Sequence, residues 1–251
     1  MNPDQQLAWN DVDAVLFDLD GVVTPTAEVH MRAWAEMFNA FLESYAGEGD
    51  RAAYTDADYF AHVDGKPRYD GVRDFLESRG ITLPEGTTED PPTAETVRGL
   101  GNRKNDAFNA VLARDGVTAY PGSIALLDHL RDLDLPLAIV SSSANAPAVL
   151  EAAGLLDRFA TVVDGRVATE LGLPGKPAPD TFVHAAEELG TTPDRAVVLE
   201  DAVSGVRAGA AGGFAAVVGV DRGAGEKVLR EAGATLVVRD LAELVPGGDA
   251  G

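Results

Sequence analysis

Five short apolar runs set the limits on what this chain can fold into. They are Ala14 to Asp18, Leu135 to Val140, Ala196 to Leu199, Phe214 to Val220 and Thr235 to Val238. Turn-forming residues bound each run, and none alternates polar with apolar residues. A strand with one wet face alternates in this way, whereas a strand covered on both faces does not. The runs therefore predict parallel strands buried between helices. The segments between them agree. Apolar residues fall at helical spacing in Ile124 to Leu133, and helices are also predicted over Pro147 to Phe159, Asp180 to Leu189, Ala202 to Ala211 and Gly225 to Ala232. Strand–helix alternation of this kind predicts a doubly wound, Rossmann-like α/β fold with a parallel sheet.

Residues 25–118 break that pattern, for they hold no convincing buried strand. A long helix is predicted over Ala27 to Tyr45, then a polar stretch rich in Asp, Gly and Pro, then helices near Tyr69 to Ser78 and Arg103 to Arg114. The expected organisation is a core begun by residues 1–24, a helical domain inserted over 25–118, and the rest of the core over 119–251. Leu83 to Pro92 reads as a loop, and Pro246 to Gly251 as a frayed tail.

Charge narrows the partners. With 41 acidic and 20 basic residues the formal charge is −21, and no Lys/Arg run offers a local exception. Nucleic acid and anionic membranes are disfavoured. The absence of cysteine excludes disulfides, thiolate metal sites and a cysteine nucleophile. The first residues lack the cationic and apolar regions of a signal peptide, and no apolar stretch is long enough for a bilayer. A cytoplasmic, monomeric protein is expected.

In open parallel sheets, sites form beyond the carboxyl ends of the strands. After the first predicted strand comes Asp18-Leu19-Asp20-Gly21, and after the second Ser141-Ser142-Ser143-Ala144-Asn145. Glu200-Asp201 follows a later one, and Lys176 stands in Gly175-Lys176-Pro177-Ala178-Pro179-Asp180 just before a helix. Carboxylates converge only around a cation, because like charges repel strongly in a partly dry site. A hard divalent ion with oxygen ligands, most simply Mg2+, meets that need. A hydroxyl and a lysine beside such a cluster suit a phosphate. One aspartate then acts as nucleophile, giving an aspartyl phosphate, and the second as general acid and base. Each motif alone has an ordinary reading: a turn, a strand-end cap, a solvated lysine, a carboxylate pair at a helix start. Their agreement on one sheet edge carries the argument. Gly209, Gly212 and Gly213 follow a helix and read as its C-cap, not as a dinucleotide loop.

Taken together, these motifs resemble the haloacid dehalogenase superfamily over nearly the whole chain, and within it the β-phosphoglucomutase branch. The resemblance rests on Phe17 to Thr26 with His30 and Trp34, on Val140 to Asn145, on Gly175 to Phe182 and on Leu199 to Val206. It implies that Asp18 is the phosphorylated nucleophile and Asp20 the general acid and base. Asp18, Asp20, Glu200 and Asp201 would hold Mg2+. Ser141, Ser142 and Lys176 would hold the transferring phosphate, and Ser143 and Asn145 the second phosphate or the sugar. In the insert, the family's cap, Arg68 with Gly65 matches the site for the non-reacting phosphate. Thr26, His30 and Lys104 match residues linking cap closure to Asp20, and Trp34 lines the cap-side pocket or packs. His62 is a further candidate for the cleft.

The chain departs from the family pattern at Pro25, at Asp64 (with Lys66 as the nearby substitute), at Ala144 and in a longer cap. These changes touch the distal phosphate and the sugar rather than the reacting phosphate. The implied activity is conversion of β-glucose 1-phosphate to glucose 6-phosphate through a 1,6-bisphosphate. A phosphorylase that cleaves a disaccharide with inversion would supply the substrate. Two alternatives stand beside it: a sugar-phosphate phosphatase, if water reaches the aspartyl phosphate, and a phosphorelay receiver. The receiver is disfavoured by chain length and by the position of Asp18 on the first strand.

Overall fold

A computed structural model describes residues 7–247 of the chain. The chain start and most of the expected frayed tail lie outside these residues. In order, the chain forms β1 (Ala14–Phe17), then α1 (Thr26–Ser44), α2 (Asp56–Asp58), α3 (Arg68–Ser78) and α4 (Val97–Asp115). It continues with α5 (Pro121–Asp132), β2 (Leu137–Val140), α6 (Ala146–Ala152), β3 (Thr161–Val163), α7 (Gly165–Leu171) and α8 (Asp180–Glu188). It ends with β4 (Ala196–Glu200), α9 (Val203–Ala211), β5 (Ala216–Val220), α10 (Glu226–Ala232) and β6 (Leu236–Val238). Two compact units result: one runs to Pro25 and resumes at Thr118, and the other is Thr26–Val117.

The first unit is built on a sheet of order β3-β2-β1-β4-β5-β6 whose paired strands are all parallel. Successive strands run outward from β1 to β3, and β4 then returns to the other side of β1. The switch point therefore lies between β1 and β4, where a doubly wound sheet opens a crevice. Every residue of β1, β2, β4 and β5 is buried, which explains the unbroken apolar runs. Phe182, Val198, Val206, Val217 and Leu229 share one core cluster. Gly209 of α9 packs close to Val198 and Val217. Gly213 takes the left-handed conformation just past the helix end, so both serve packing and capping.

Two elements escape the sequence pattern. β3 has three residues, two of them only half-buried, at the sheet edge. α7 buries none of its residues and so has no apolar stripe to read; the Asp164 carboxylate caps it by accepting from the Arg166 and Val167 N–H groups. The long helix expected over Pro147 to Phe159 ends early, as α6. Gly154 then takes φ +68°, and a short 3-10 turn covers Leu156–Arg158.

The second unit is helical. Phe38, Phe41, Tyr54, Phe75, Val72 and Leu100 form its core with Trp34. The rings interlock: Trp34 stacks on Phe38 at 5.3 Å, and Phe38 meets Phe75 at 4.1 Å. α4 begins six residues before the expected Arg103, capped by Thr96, whose hydroxyl accepts from the Gly99 N–H at 2.9 Å. Glycines disfavour helix locally. Here Gly101 is required by packing, since a Cβ would strike the Tyr69 ring. Among the described residues no helix is long and apolar enough to cross a membrane.

Candidate active site

Every strand of the sheet ends in, or is followed within two residues by, a polar side chain, and those of β1, β2 and β4 converge. The Asp18 N–H donates to the Leu199 carbonyl at 2.9 Å, which extends the β1–β4 pairing by one residue. This fixes Asp18 beside Glu200, the last residue of β4. Ser141 follows β2 in the same way, its N–H donating to the Val163 carbonyl at 3.0 Å. The sheet ladders thus set the spacing of these groups before any side chain interacts.

Lys176 joins them. Its ammonium donates to Asp18 Oδ1 at 2.5 Å, to Glu200 Oε1 at 2.7 Å and to the Val140 carbonyl at 2.9 Å. All three side chains are buried: Asp18 is 7% exposed, Lys176 3% and Glu200 0%. Burial pushes the Asp18 carboxyl well above the usual carboxylate range; Lys176 opposes this, while Glu200 and Asp20 add to it. The main cause is loss of water around the carboxyl, and the neighbouring negative charge adds to it. Burial by itself would lower Lys176, but the two carboxylates hold it above its ordinary value, so it stays charged.

The loop after β1 is a tight turn. The Gly21 N–H donates to the Thr24 carbonyl at 2.7 Å, and Gly21 takes φ +85°. A Cβ at Gly21 would collide with the Asp201 carboxylate, so glycine is required both for conformation and for space. The same contact shows that Asp201 lies against the turn that follows Asp20.

The residues expected to bind phosphate after β2 form a hydrogen-bonded loop. The Ser143 N–H donates to the Ser141 hydroxyl at 3.1 Å, and the Asn145 N–H to the Ser143 hydroxyl at 3.2 Å. Ser142 lies between them, its carbonyl pressed against Gly165. Glu200, expected among the metal donors, has both oxygens engaged: Oε1 accepts from Lys176 and Oε2 from the Ala202 N–H at 2.7 Å. In this arrangement it anchors Lys176. Among the described residues no three acidic or histidine side chains are gathered as a metal cluster. The donors at this edge are nevertheless hard carboxylate oxygens carrying unbalanced negative charge, and that set fits a Mg2+-like ion.

Three strand-end residues that the sequence reading missed do not all share this chemistry. Asp164 spends its carboxylate on capping α7. Asp221 accepts from the Gly223 N–H at 2.9 Å and the Gly225 N–H at 3.0 Å, and these bonds lower its carboxyl. Arg222 instead reaches the turn after β1, its Nε–H donating to the Gly21 carbonyl at 2.8 Å.

The other expected residues lie in the helical unit. Thr26 opens α1, and His30 and Trp34 follow on it at one-turn spacing; all three are buried. Lys104 Nζ lies within hydrogen-bonding reach of His30 Nδ1. Its charge also sits 5.2 Å from the Trp34 ring centre and 5.1 Å from that of Phe108. Trp34 thus packs on Phe38 and faces Lys104. Gly65 takes φ +68° in the loop before α3, whose first residue is Arg68. Arg68 Nη2 donates to the Tyr69 hydroxyl at 3.0 Å, which donates in turn to Asn102 Oδ1 at 2.8 Å. His62 pairs with Asp74 at 3.4 Å, and Lys66 binds the same carboxylate.

Residues 12–213 match the haloacid dehalogenase-like hydrolase family. This chain belongs to that family. Among curated relatives, the β-phosphoglucomutase of Mycobacterium tuberculosis is 52% identical, covering 93% of this chain and 92% of its own. Among solved structures, a haloacid dehalogenase family hydrolase from Deinococcus radiodurans is 30% identical, with a TM-score of 0.63 over 93% of each chain; it carries bound phosphate and sodium. The fold is also that of β-phosphoglucomutase from Clostridium difficile, at a TM-score of 0.74, 24% identity and 93% coverage of each chain. As a member of the family, the chain places its Asp18, Ser141, Lys176 and Glu200 on one sheet edge.

Proposed function

We infer that this protein is a sugar phosphomutase that converts β-glucose 1-phosphate to glucose 6-phosphate. The observation that carries the reading is the 52% identity to β-phosphoglucomutase across nearly the full length of both chains. The Asp18–Lys176–Glu200 cluster gives it a chemical basis. Asp18 attacks phosphorus and carries the phosphoryl group as an aspartyl phosphate. Lys176 already touches Asp18, so its charge is in place for the negative charge that spreads over the transferring oxygens. Ser141 and the Leu19 and Ser142 N–H groups supply further donors. Asp20 takes the proton of the attacking sugar hydroxyl and returns it to the leaving oxygen in the second half-reaction.

Asp18, Asp20 and Asp201 would hold Mg2+, with Glu200 behind them fixing Lys176. The ion supplies charge that lets the anionic Asp18 and an anionic phosphate approach each other. Arg68 is assigned the non-reacting phosphate by resemblance, with Gly65, Ser143 and Asn145 around the sugar phosphate. Thr26, His30 and Lys104 are assigned to linking the helical unit to Asp20 on the same ground. A disaccharide phosphorylase that inverts configuration is the class of reaction that would supply the β-anomer.

The test is incubation with Mg2+, β-glucose 1-phosphate and a trace of the 1,6-bisphosphate, reading glucose 6-phosphate and free phosphate together. Glucose 6-phosphate forming faster than phosphate, and lost in Asp18→Ala, supports the mutase. Phosphate without isomerisation replaces it with a phosphatase.

A further inference from the structure

The turn that carries Asp20 is held from outside by three successive carbonyls. The Gly21 carbonyl accepts from Arg222 Nε at 2.8 Å, and the Val22 carbonyl from the buried Ser123 hydroxyl at 2.7 Å. The Val23 carbonyl accepts from the Tyr120 N–H at 3.0 Å. Ser123 and Tyr120 lie where the chain re-enters the first unit. Arg222 comes from the far side, directly after β5.

Arg222 is engaged on several sides, and among the described residues it has no carboxylate partner. Its Nη1 donates to the Arg239 carbonyl at 3.1 Å, and its guanidinium carbon lies 3.9 Å from the centre of the Tyr120 ring. Its Nη2 is buried and has no acceptor among the described residues. An arginine in an acidic protein ordinarily finds a carboxylate, and an unsatisfied buried donor costs stability. This one is spent on a backbone carbonyl beside Asp20. Gly21 needs such a restraint, because glycine is the residue with the greatest backbone freedom.

We propose that Arg222 is a positioning residue for the reaction: seated on the Tyr120 ring, it holds the Gly21 carbonyl and thereby fixes the Asp20 carboxyl for proton transfer. The proposal rests on the role of Asp20 in the mutase reading. Lysine at 222 keeps the charge, but it cannot lie flat on the ring while donating to both carbonyls. Orientation errors of this kind slow a proton-coupled step more than they weaken binding.

The experiment separates a step that needs Asp20 from one that does not, using the full-length protein with Mg2+ and its Arg222→Lys and Tyr120→Leu variants. Acetyl phosphate loads Asp18: the carboxylate attacks phosphorus and acetate leaves with the bonding pair, requiring no proton. Rapid-quench intact-mass measurement follows the phosphoryl gain. Discharge to β-glucose 1-phosphate follows: the sugar hydroxyl attacks phosphorus, its proton passes to Asp20, and the Asp18 carboxylate is released. In Arg222→Lys, loading and KM are expected to stay within about twofold while discharge slows about tenfold to a hundredfold. Tyr120→Leu is expected to slow discharge by a smaller factor, about threefold, because the hydrogen-bond donors remain. Tyr120→Leu carries the comparison if Arg222→Lys does not fold. Equal slowing of loading and discharge overturns the proposal, as does unchanged discharge. If the wild-type protein discharges only to water, the mutase reading fails. The Arg222 comparison is then read on hydrolysis, whose proton also passes to Asp20.

Discussion

Each unit of the molecule buries a lysine, and the two have different described surroundings. Lys176 and Lys104 are almost equally inaccessible, at 3% and 4% exposure. Burying an ammonium costs several kcal/mol unless something in the protein replaces water. In the first unit two carboxylates and a carbonyl do so. In the second, a histidine nitrogen and the faces of Trp34 and Phe108 surround the charge, with His30 stacked on Phe108 at 4.1 Å. Ring quadrupoles attract a cation but carry no formal charge. The sheet edge is therefore a cluster of full charges whose balance matters chemically. In the helical cluster a histidine nitrogen and aromatic faces line the charge.

The largest effect expected from this contrast is on turnover. Asp18→Asn keeps the shape of the site and removes the nucleophile, so activity should fall about a thousandfold or more while the fold persists. Steady-state rates and circular dichroism measured together check both halves.

Next come the two lysines themselves. Lys176→Met leaves Asp18 and Glu200 buried without their cation and should cost about 3–5 kcal/mol of stability. Lys104→Met leaves the buried His30 nitrogen without this neighbour and should cost less, about 1–2 kcal/mol. Urea denaturation of both variants decides the matter. Similar losses would break the contrast.

The pH dependence sharpens it further. Burial raises Asp18 in the folded state, whereas an unfolded aspartate titrates near about 3.9. Below that pH both states hold the proton; above it the folded state holds it and the unfolded state does not. Stability of the metal-free protein should therefore fall as pH rises from about 4 toward the elevated value of Asp18, by up to about 1.4 kcal/mol per unit. Asp18→Asn should remove this contribution to the slope. Melting temperatures across this range, with and without Mg2+, test it, because Mg2+ at the edge should flatten the slope.

The smallest effect lies on the surface of the helical unit. Arg73 pairs with Asp70 at 2.6 Å and with Glu85 at 2.9 Å, and all three side chains are well exposed. Arg73→Ala should cost no more than about 1 kcal/mol, and less at high salt. A larger loss in thermal melts would mean that this network orders the loop before α4.

Much of the first unit was legible because a buried parallel strand leaves an unbroken apolar run, and because polar residues at the ends of such runs must face one edge. Asp18, Ser141 and Glu200 follow from that rule alone. Lys176 was legible only as a lysine near a helix start; its three-way bond to Asp18, Glu200 and the Val140 carbonyl belongs to the fold. β3 and α7 were not legible, since a three-residue edge strand and a helix that buries nothing leave no periodic signal. Trp34 had two readings in the sequence, pocket or packing, and its stacking on Phe38 is a contact that no local pattern records.

The sequence by itself determined the strand–helix alternation, the helical insert and the acidic motifs at the strand ends, because these depend on local periodicity and on which residue types can tolerate burial. Only the tertiary structure decided that Glu200 anchors Lys176, that Asp164 and Asp221 serve their own loops, and that Arg222 reaches Gly21 from 201 residues away. Those assignments depend on which donor meets which acceptor. Strands distant in the chain bring such pairs together, so no local pattern records them.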